Sequence, residues 1–262
     1  MFFNRSEFQN LLLVMGLKDA DYVGGGSFAR VYKTAYNTVV KFTTDKAYKA
    51  YIDAFKGTSN MYAPKVINDF GVIGCMKKGD TIFAIELPIY TSLEDLGCTS
   101  PYNKVLDFNI MYNLDSKLYH ADQFWGMYNE ILSLFPSDCT KFDADHFADW
   151  AEKVNGLMMQ DGRIKPDLHC GNVMLNLNTN CIVFTDPVVY KGAEEIDSYR
   201  YNNGECAKFE DMFNLEHIKN QLRVVERFAP SIDATVYIGK RKSLLEKGLS
   251  TKDNLAQLIL EA

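Results

Sequence analysis

The sequence lacks three features that would assign it to other classes of protein. Its 6 cysteines include no C-x-x-C pair and no pairing with the 4 histidines at metal-ligand spacing, so a structural zinc site is not expected. No apolar run is long enough to cross a bilayer, and nothing resembles a signal peptide. Positive charge is not in excess, since 28 Lys and Arg face 34 Asp and Glu. We therefore expect a cytosolic protein with reduced thiols that binds neither a membrane nor nucleic acid.

The composition is that of a globular protein with a large core. Hydrophobic residues make up 47% and aromatic residues 13% of the 262 positions, a length that suits one large or two small domains. Basic residues outnumber acidic ones between residues 217 and 252. Solvated helix faces are the simpler interpretation of that stretch, and a docking surface for an acidic partner is the alternative.

The residues with the clearest chemical meaning lie in the second half of the chain. The segment Asp167-Leu168-His169-Cys170-Gly171-Asn172 is followed by Thr185-Asp186-Pro187. An Asp with an Asn five residues later is the spacing of a kinase catalytic loop, in which the Asp orients the attacking hydroxyl and the Asn holds a metal ion. The later Asp186 is placed to be the second metal ligand. This pattern predicts phosphoryl transfer from ATP with Mg²⁺.

Two apolar runs between these motifs predict how Asp186 returns to the loop. Residues 173–175 and 182–184 are apolar, and the turn-forming Asn178-Thr179-Asn180 lies between them. Such a pattern predicts a β-hairpin whose second strand ends beside the start of the first. We therefore expect Asp167, Asn172 and Asp186 to lie at one site.

An upstream segment predicts the other half of a nucleotide site. Residues 24–31, Gly-Gly-Gly-Ser-Phe-Ala-Arg-Val, resemble the kinase glycine-rich loop G-x-G-x-x-G-x-V, with Ala29 at the third glycine position. Strand-like residues follow it and lead through a turn to Lys41, which matches the lysine of V-A-I-K. A second strand ends at Glu86 and Pro88, where kinases place the hinge that binds adenine.

These motifs resemble the early serine/threonine protein kinases of autographiviruses, which are short-tailed phages. The similarity covers roughly residues 20 to 190 and includes Ala47-Tyr48-x-Ala50. It implies a two-lobed α+β fold, with a small antiparallel β N-lobe at residues 1–88 and a mainly helical C-lobe at residues 89–262. It also implies transfer of the γ-phosphate to host proteins, including transcription machinery, in the cytoplasm of an infected bacterium.

The resemblance also implies a role for each site residue. ATP would be bound by the glycine-rich loop and hinge, Mg²⁺ by two side chains, and catalysis would involve three. The nucleotide set is Gly24, Gly25, Gly26, Ser27, Phe28, Val31, Lys41, Glu86 and Pro88; the metal set is Asn172 and Asp186; the catalytic set is Asp167, His169 and Lys41.

Three departures from the protein-kinase pattern leave the acceptor open. The catalytic loop begins Lys165-Pro166-Asp167 rather than H-R-D, and His169 stands where a lysine is usual, as in aminoglycoside and choline kinases. No Glu lies between Lys41 and Glu86 to pair with the lysine, and Asp53 is the acid within the intervening helix. No A-P-E segment is present. A small-molecule kinase and a kinase-fold interaction protein therefore stay as alternatives.

Overall fold

The computed structural model describes residues 21–26, 28–75, 80–92, 143–167, 170–190 and 215–228. These residues form two compact units. The first holds the described residues of 1–44, 67–87 and 194–262, and the second holds those of 45–66 and 88–193. These units are not continuous along the chain, whereas the predicted lobes are. The division into an N-lobe at residues 1–88 and a C-lobe at residues 89–262 stays a prediction.

A five-stranded sheet dominates the first unit. Its strands, in chain order, are β1 (Asp21–Gly24), β2 (Ala29–Lys33), β3 (Thr38–Thr43), β4 (Asn68–Cys75) and β5 (Thr81–Pro88). The spatial order is β1, β2, β3, β5, β4. The pairs β1 with β2, β2 with β3, and β4 with β5 are antiparallel. Strand β3 is buried along its whole length, as expected for a central strand rich in β-branched residues.

A tight turn joins β2 to β3 and sets their register. Asn37 has a φ of 57°, a left-handed conformation that Asn tolerates better than most residues. The Thr34 N–H donates to the Thr38 carbonyl at 2.9 Å and closes the turn. In the resulting register Val31 lies opposite Lys41. The hairpin predicted after the glycine-rich loop is therefore confirmed.

Helix α3 (Leu215–Phe228) covers the free edge of the sheet along β4. Asn220 donates to the Val72 carbonyl at 2.9 Å, and Gln221 donates to the Ile73 carbonyl at 2.5 Å. Arg223 donates to the carbonyl of Asp69 at 3.1 Å. An exposed strand edge carries unpaired backbone groups that invite pairing with another chain. Here side chains of the helix donate hydrogen bonds to three backbone carbonyls of β4.

The second unit combines two helices with short strands. The helices are α1 (Lys46–Phe55) and α2 (Ala144–Gln160), and the strands are β6 (Thr91–Ser92), β7 (Ile164–Pro166), β8 (Val173–Asn176), β9 (Cys181–Phe184) and β10 (Val188–Tyr190). Strands β6, β8 and β9 form one sheet, and β7 pairs with β10 in another. A 3₁₀ turn at Cys170–Asn172 precedes β8.

Aspartates begin both helices of this unit. Asp45 accepts a hydrogen bond from the Ala47 N–H at 2.8 Å and caps α1, which begins at Lys46. Asp143 accepts from the His146 N–H at 3.0 Å and caps α2 in the same way. A carboxylate at this position accepts a hydrogen bond from an N–H group that lacks a helical partner. Its negative charge is also stabilised by the positive end of the helix dipole.

An aromatic cluster forms the core of the second unit. Trp150 of α2 is fully buried and stacks on Phe184 of β9, with ring centroids 4.2 Å apart. The Trp150 Nε1–H donates to the Tyr51 hydroxyl at 3.0 Å, and that hydroxyl donates to the Phe184 carbonyl at 2.8 Å. Both helices are thus fastened to the end of β9.

The α+β, kinase-like fold class predicted from the sequence is confirmed by this order of elements. A glycine-rich turn lies between β1 and β2, a helix follows the lysine strand, and the loop before β8 is followed by the predicted hairpin. Much of the range 89–262 lies outside the described residues, so its mainly helical character stays a prediction. No helix in the described part of the chain is long and apolar enough to span a membrane.

Candidate functional site

The loop carrying Asp167 and Asn172 is tied at both ends to the segment that carries Asp186. At one end the Asp167 N–H donates to the Pro187 carbonyl at 2.8 Å, continuing the pairing of β7 with β10. At the other end the Asn172 carbonyl accepts from the Thr185 N–H at 2.8 Å and from the Thr185 hydroxyl at 3.0 Å. Asp186 lies between the two anchored residues. The backbone therefore brings the three predicted residues to one place.

The β8–β9 hairpin supplies this return. Its strands pair in register from Val173 opposite Phe184 to Asn176 opposite Cys181. Asn180 has a φ of 56° at the turn, and its N–H donates to the Asn176 carbonyl at 2.8 Å. The sequence prediction of this hairpin is confirmed.

Asn172 is oriented by Asp167. Its amide nitrogen donates to the Asp167 carbonyl at 2.7 Å and to the Asp167 Oδ2 at 3.2 Å. Because both donors of the amide turn toward Asp167, the Asn172 Oδ1 is left as an acceptor. Amide and carboxylate oxygens are the ligands that Mg²⁺ prefers in proteins.

Two buried phenols lie near Asp186. Burial raises the pKa of Tyr48 well above its usual value, and the Asp186 carboxylate raises the pKa further. Burial also raises the pKa of Tyr51; the hydrogen bond from Trp150 lowers that pKa, and Asp186 adds a smaller upward effect. Both phenols therefore stay protonated, and Tyr51 stays a donor to the strand that leads into Asp186.

The donor set fits a magnesium ion held jointly with phosphate. Within the described ranges, no group of three or more His, Cys, Asp or Glu side chains is gathered in a way that could hold a metal. Mg²⁺ usually binds one or two carboxylates together with substrate phosphates and water, so an all-protein cage is not needed. Asp186 and the Asn172 Oδ1 would be the protein ligands.

The glycine-rich turn leaves backbone open at two of its three glycines. A Cβ added at Gly24 or Gly26 would meet nothing within 4 Å, whereas one at Gly25 would overlap the Ala29 carbonyl oxygen. Arg30 holds the turn by donating to the carbonyls of Gly26, at 2.5 Å, and of Ala29, at 2.7 Å. Packing within the turn explains the glycine at position 25. The open backbone at the other two suits a ligand that approaches it closely.

The other predicted nucleotide residues of this region lie on β2 and β3 or close to them. Lys41 is 7% exposed, and its register opposite Val31 places both side chains on one face of the sheet. The Phe28 carbonyl accepts from the Thr44 N–H at 2.9 Å and closes the turn against the end of β3. Ser27 and His169 lie outside the described residues.

Asp53 takes part in an ion pair on its own helix. Its carboxylate accepts a hydrogen bond from Lys49, one turn earlier on α1, and its side chain is 52% exposed. An exposed pair of this kind contributes little to stability. The hypothesis that Asp53 is the partner of Lys41 gains no support from this contact.

The side chain of Glu86 is the centre of a buried cluster in the first unit, a role that the sequence did not indicate. It is 0% exposed and accepts bonds from the Arg227 Nη2 at 3.0 Å and Nε at 3.1 Å. Thr38 donates to it at 2.8 Å and Asn68 at 2.5 Å. The only sequence signal was a lone charge inside the apolar strand β5.

The backbone of the predicted hinge has restricted hydrogen-bonding capacity. The Glu86 carbonyl accepts from the Ile67 N–H at 2.9 Å. Pro88 has no N–H, so it can offer only its carbonyl and its ring to a ligand. If this segment binds adenine as predicted, the N–H donor would come from a neighbouring residue.

The carboxylate of Glu86 should make stability depend on pH. Burial alone raises its pKa, but hydrogen bonds from Arg227, Asn68 and Thr38 outweigh burial and hold the pKa below the usual 4.5. A lowered folded-state pKa means that the stabilisation is complete above the unfolded-state value and is lost as the pH falls through the folded-state value. We expect Glu86→Gln to lower the free energy of unfolding by about 2 kcal/mol at pH 7, since charge-assisted bonds are lost.

Urea unfolding at pH 7 and at several values below 4.5 checks this expectation. The difference between Glu86→Gln and the unmodified protein should shrink as the medium becomes more acidic. The exposed Glu226 on α3 provides the matched control, and Glu226→Gln should change little at any pH. An equal difference between Glu86→Gln and the unmodified protein at every pH would contradict the assignment.

Comparison with known proteins gives remote similarities to solved structures. No family model and no curated protein matches the chain. Among solved structures, the aminoglycoside phosphotransferase APH(3'')-Id from Streptomyces rimosus has 12% identity and a TM-score of 0.34, over 86% of this chain and 99% of that one. A thermostable mutant of APH(4)-Ia, in ternary complex with AMP-PNP and hygromycin B, has 13% identity and a TM-score of 0.31, over 98% and 96%. The fold assignment therefore rests on this chain's own strand order and hydrogen bonds.

Proposed function

We propose that the protein is an ATP-dependent phosphotransferase. The observation that carries the proposal is the double anchoring of the Asp167 to Asn172 loop on Thr185 and Pro187, which brackets Asp186. A base or orienting carboxylate beside two metal ligands is the arrangement that phosphoryl transfer needs, because catalysis there is mainly positioning and charge neutralisation.

Each residue would have one task in this reaction. Asp167 would accept a hydrogen bond from the acceptor hydroxyl and aim its oxygen at the γ-phosphorus. Asn172 and Asp186 would hold Mg²⁺, which when bound supplies charge neutralisation at the phosphates. His169 is proposed to contact the transferring phosphoryl group in place of the usual lysine.

The first unit would bind the nucleotide. Open backbone at Gly24 and Gly26 suits contact with phosphate oxygens, as in other glycine-rich anion sites. Lys41 would bind the α and β phosphates, and Val31 would pack on the base from the same face. The end of β5, from Glu86 to Pro88, would serve as the adenine hinge.

The acceptor in this proposal is a serine or threonine of a host protein, in keeping with the phage kinases that the motifs resemble. Host takeover, including shutoff of host transcription in the bacterial cytoplasm, would be the biological role. The similarity rests on the motifs alone, since no family model matches. A small-molecule acceptor is the second candidate. The catalytic-loop motif D-x-H-x-x-N favours it, because aminoglycoside and choline kinases have the same motif.

Docking of an acidic partner on the basic stretch 217–252 is a weaker proposal. Arg227 is engaged with Glu86 and Arg223 with the Asp69 carbonyl, both within the first unit. Lys219 is exposed on α3, and the basic residues between 240 and 252 lie outside the described residues. A docking surface would depend on Lys219 and on that later segment.

Incubation of the purified chain with Mg²⁺ and γ-labelled ATP in a bacterial lysate tests the function. We expect label on lysate proteins or on the chain itself, and no label with the matched variant Asp186→Ala. Consumption of ATP without labelled protein would identify a small-molecule kinase. If ATP is left intact, the phosphotransferase proposal is wrong and an interaction protein with a kinase-like fold replaces it.

A further inference from the structure

Helix α3 reaches the strand that would carry the adenine hinge. Its last turn places Arg227 beside β5, where the Nη2 and Nε groups of the guanidinium donate to the two oxygens of the Glu86 carboxylate at 3.0 and 3.1 Å. A bidentate pair of this kind fixes orientation as well as distance, because two parallel bonds define a plane. The contact joins residues 141 positions apart in the chain.

The guanidinium is itself held in place. It lies over the ring of Tyr36, with its central carbon 4.5 Å from the ring centroid, in the turn between β2 and β3. Tyr36 also packs against Phe228, with ring centroids 6.2 Å apart. The arginine is therefore fixed by a ring on one side and by a carboxylate on the other.

Glu86 is also held by hydrogen bonds from two neighbouring strands. Thr38 of β3 and Asn68 of β4 donate to its carboxylate, so the cluster joins the three adjacent strands of this part of the sheet. Its carbonyl is bound by the Ile67 N–H. The chain leaves the first unit directly afterwards, between Leu87 and Pro88. Any shift of Glu86 would be passed to those two residues.

We propose that Arg227 is a positioning residue for nucleotide binding, which through Glu86 sets the place of the hinge backbone at Leu87 and Pro88. The inference rests on the proposed function, since it presupposes that this segment binds adenine. It makes α3 a part of the nucleotide site although the helix need not touch the ligand. Phosphate binding, by contrast, would depend on the glycine-rich turn and Lys41, whereas Arg227 binds Glu86 and lies over Tyr36.

This division predicts a selective effect that a loss of folding would not produce. Arg227→Gln should weaken binding of Mg-ATP about tenfold, since small displacements of a binding segment have large effects on affinity. Binding of Mg-tripolyphosphate should stay within about twofold, because the base contributes nothing to it. Calorimetric titration of both ligands measures the two affinities without an acceptor.

Two further variants serve as controls. Arg223→Gln removes another arginine of α3 that donates to the sheet, but to β4 rather than to β5, and should leave both affinities unchanged. Arg227→Lys keeps the charge without the bidentate geometry, so it should weaken ATP binding to an intermediate degree. If Arg227→Gln does not fold, Arg227→Lys carries the test.

The outcomes separate this inference from the function on which it rests. Equal weakening of ATP and tripolyphosphate binding, or wild-type ATP binding by the Arg227 variants, overturns the positioning role but leaves the proposed function standing. The same holds if Arg223→Gln has the same effect as Arg227→Gln. Failure of the unmodified protein to bind Mg-ATP overturns both.

Discussion

Asp167→Asn should lower the rate of phosphate transfer by about 10²- to 10⁴-fold while Mg-ATP still binds with nearly unchanged affinity. The substitution keeps the size of the side chain and the backbone bond from the Asp167 N–H to Pro187. It removes the charge that would attract and orient the acceptor hydroxyl. Turnover of labelled ATP and calorimetric binding of Mg-ATP, measured on the same preparation, check the two halves of this expectation.

Asp186→Asn should impair Mg²⁺ binding as well as turnover, unlike Asp167→Asn. It removes a charge from the proposed metal site, so the Mg²⁺ concentration needed for nucleotide binding should rise by more than about tenfold, together with a loss of turnover. Titration of Mg²⁺ at constant ATP gives this value. The contrast between the two variants assigns hydroxyl orientation to Asp167 and metal binding to Asp186.

Asp53→Asn is the matched control for both. The side chain is half-exposed and bonded to Lys49, so the same chemical change should leave turnover and Mg²⁺ dependence unchanged. A loss of turnover in this variant would instead support Asp53 as the partner of Lys41. Wild-type turnover in both Asp167→Asn and Asp186→Asn would refute the assignment of the site.

Local sequence patterns were sufficient to predict the β2–β3 and β8–β9 hairpins. They were also sufficient to predict that the β8–β9 hairpin brings Asp186 back to Asn172. Alternating apolar runs with Asn-rich turns place Asn37 and Asn180 at positions of positive φ. Because a hairpin returns the chain to its starting point, the spacing from Asn172 to Asp186 already implies that the two meet. The anchoring bonds from Thr185 and Asp167 are consequences of that return.

Contacts between distant segments could not be predicted in the same way. The sequence predicts a hinge role for Glu86, but it does not predict that the Glu86 side chain forms a buried cluster with Arg227. Arg227 lies in the basic stretch 217–252, for which the sequence offers only solvated helix faces or a docking surface as interpretations. Periodicity identifies a helix and its apolar face, but it contains no information about which strand the helix will cover.

In strand β4 a single glycine makes the prediction from the local sequence pattern wrong. The apolar residues within 66–69 and 72–76 predict two strand segments. The structure has one strand, Asn68–Cys75. Gly71 has a φ of 74° and the register shifts between Asp69 and Gly71, so the strand bulges without ending. A Cβ at residue 71 would lie 3.1 Å from the Asn220 amide nitrogen, so a larger residue would crowd α3 at this edge of the sheet. Glycine avoids that contact.

The buried chain from Trp150 through Tyr51 to Phe184 should be the largest single contributor to stability among the contacts that support Asp186. Trp150→Ala is expected to lower the free energy of unfolding by about 3–5 kcal/mol, because it empties a large buried site. Tyr51→Phe should cost about 2–3 kcal/mol, since it leaves the Trp150 N–H and the Phe184 carbonyl without their shared partner in the core. Urea unfolding measures both changes.

The two substitutions should not be additive. Once Trp150 is absent, Tyr51→Phe no longer leaves a buried indole N–H unpaired, so the double variant should be more stable than the sum predicts by about 1 kcal/mol. Tyr36→Phe is the matched control, because it removes a hydroxyl from a ring that is 46% exposed and should change stability by less than about 0.5 kcal/mol. Strict additivity would show that Trp150 and Tyr51 support β9 independently. Coupling would show instead that one hydrogen-bonded unit holds the strand from which Asp186 projects, and the Mg²⁺ requirement of Tyr51→Phe should then rise as well.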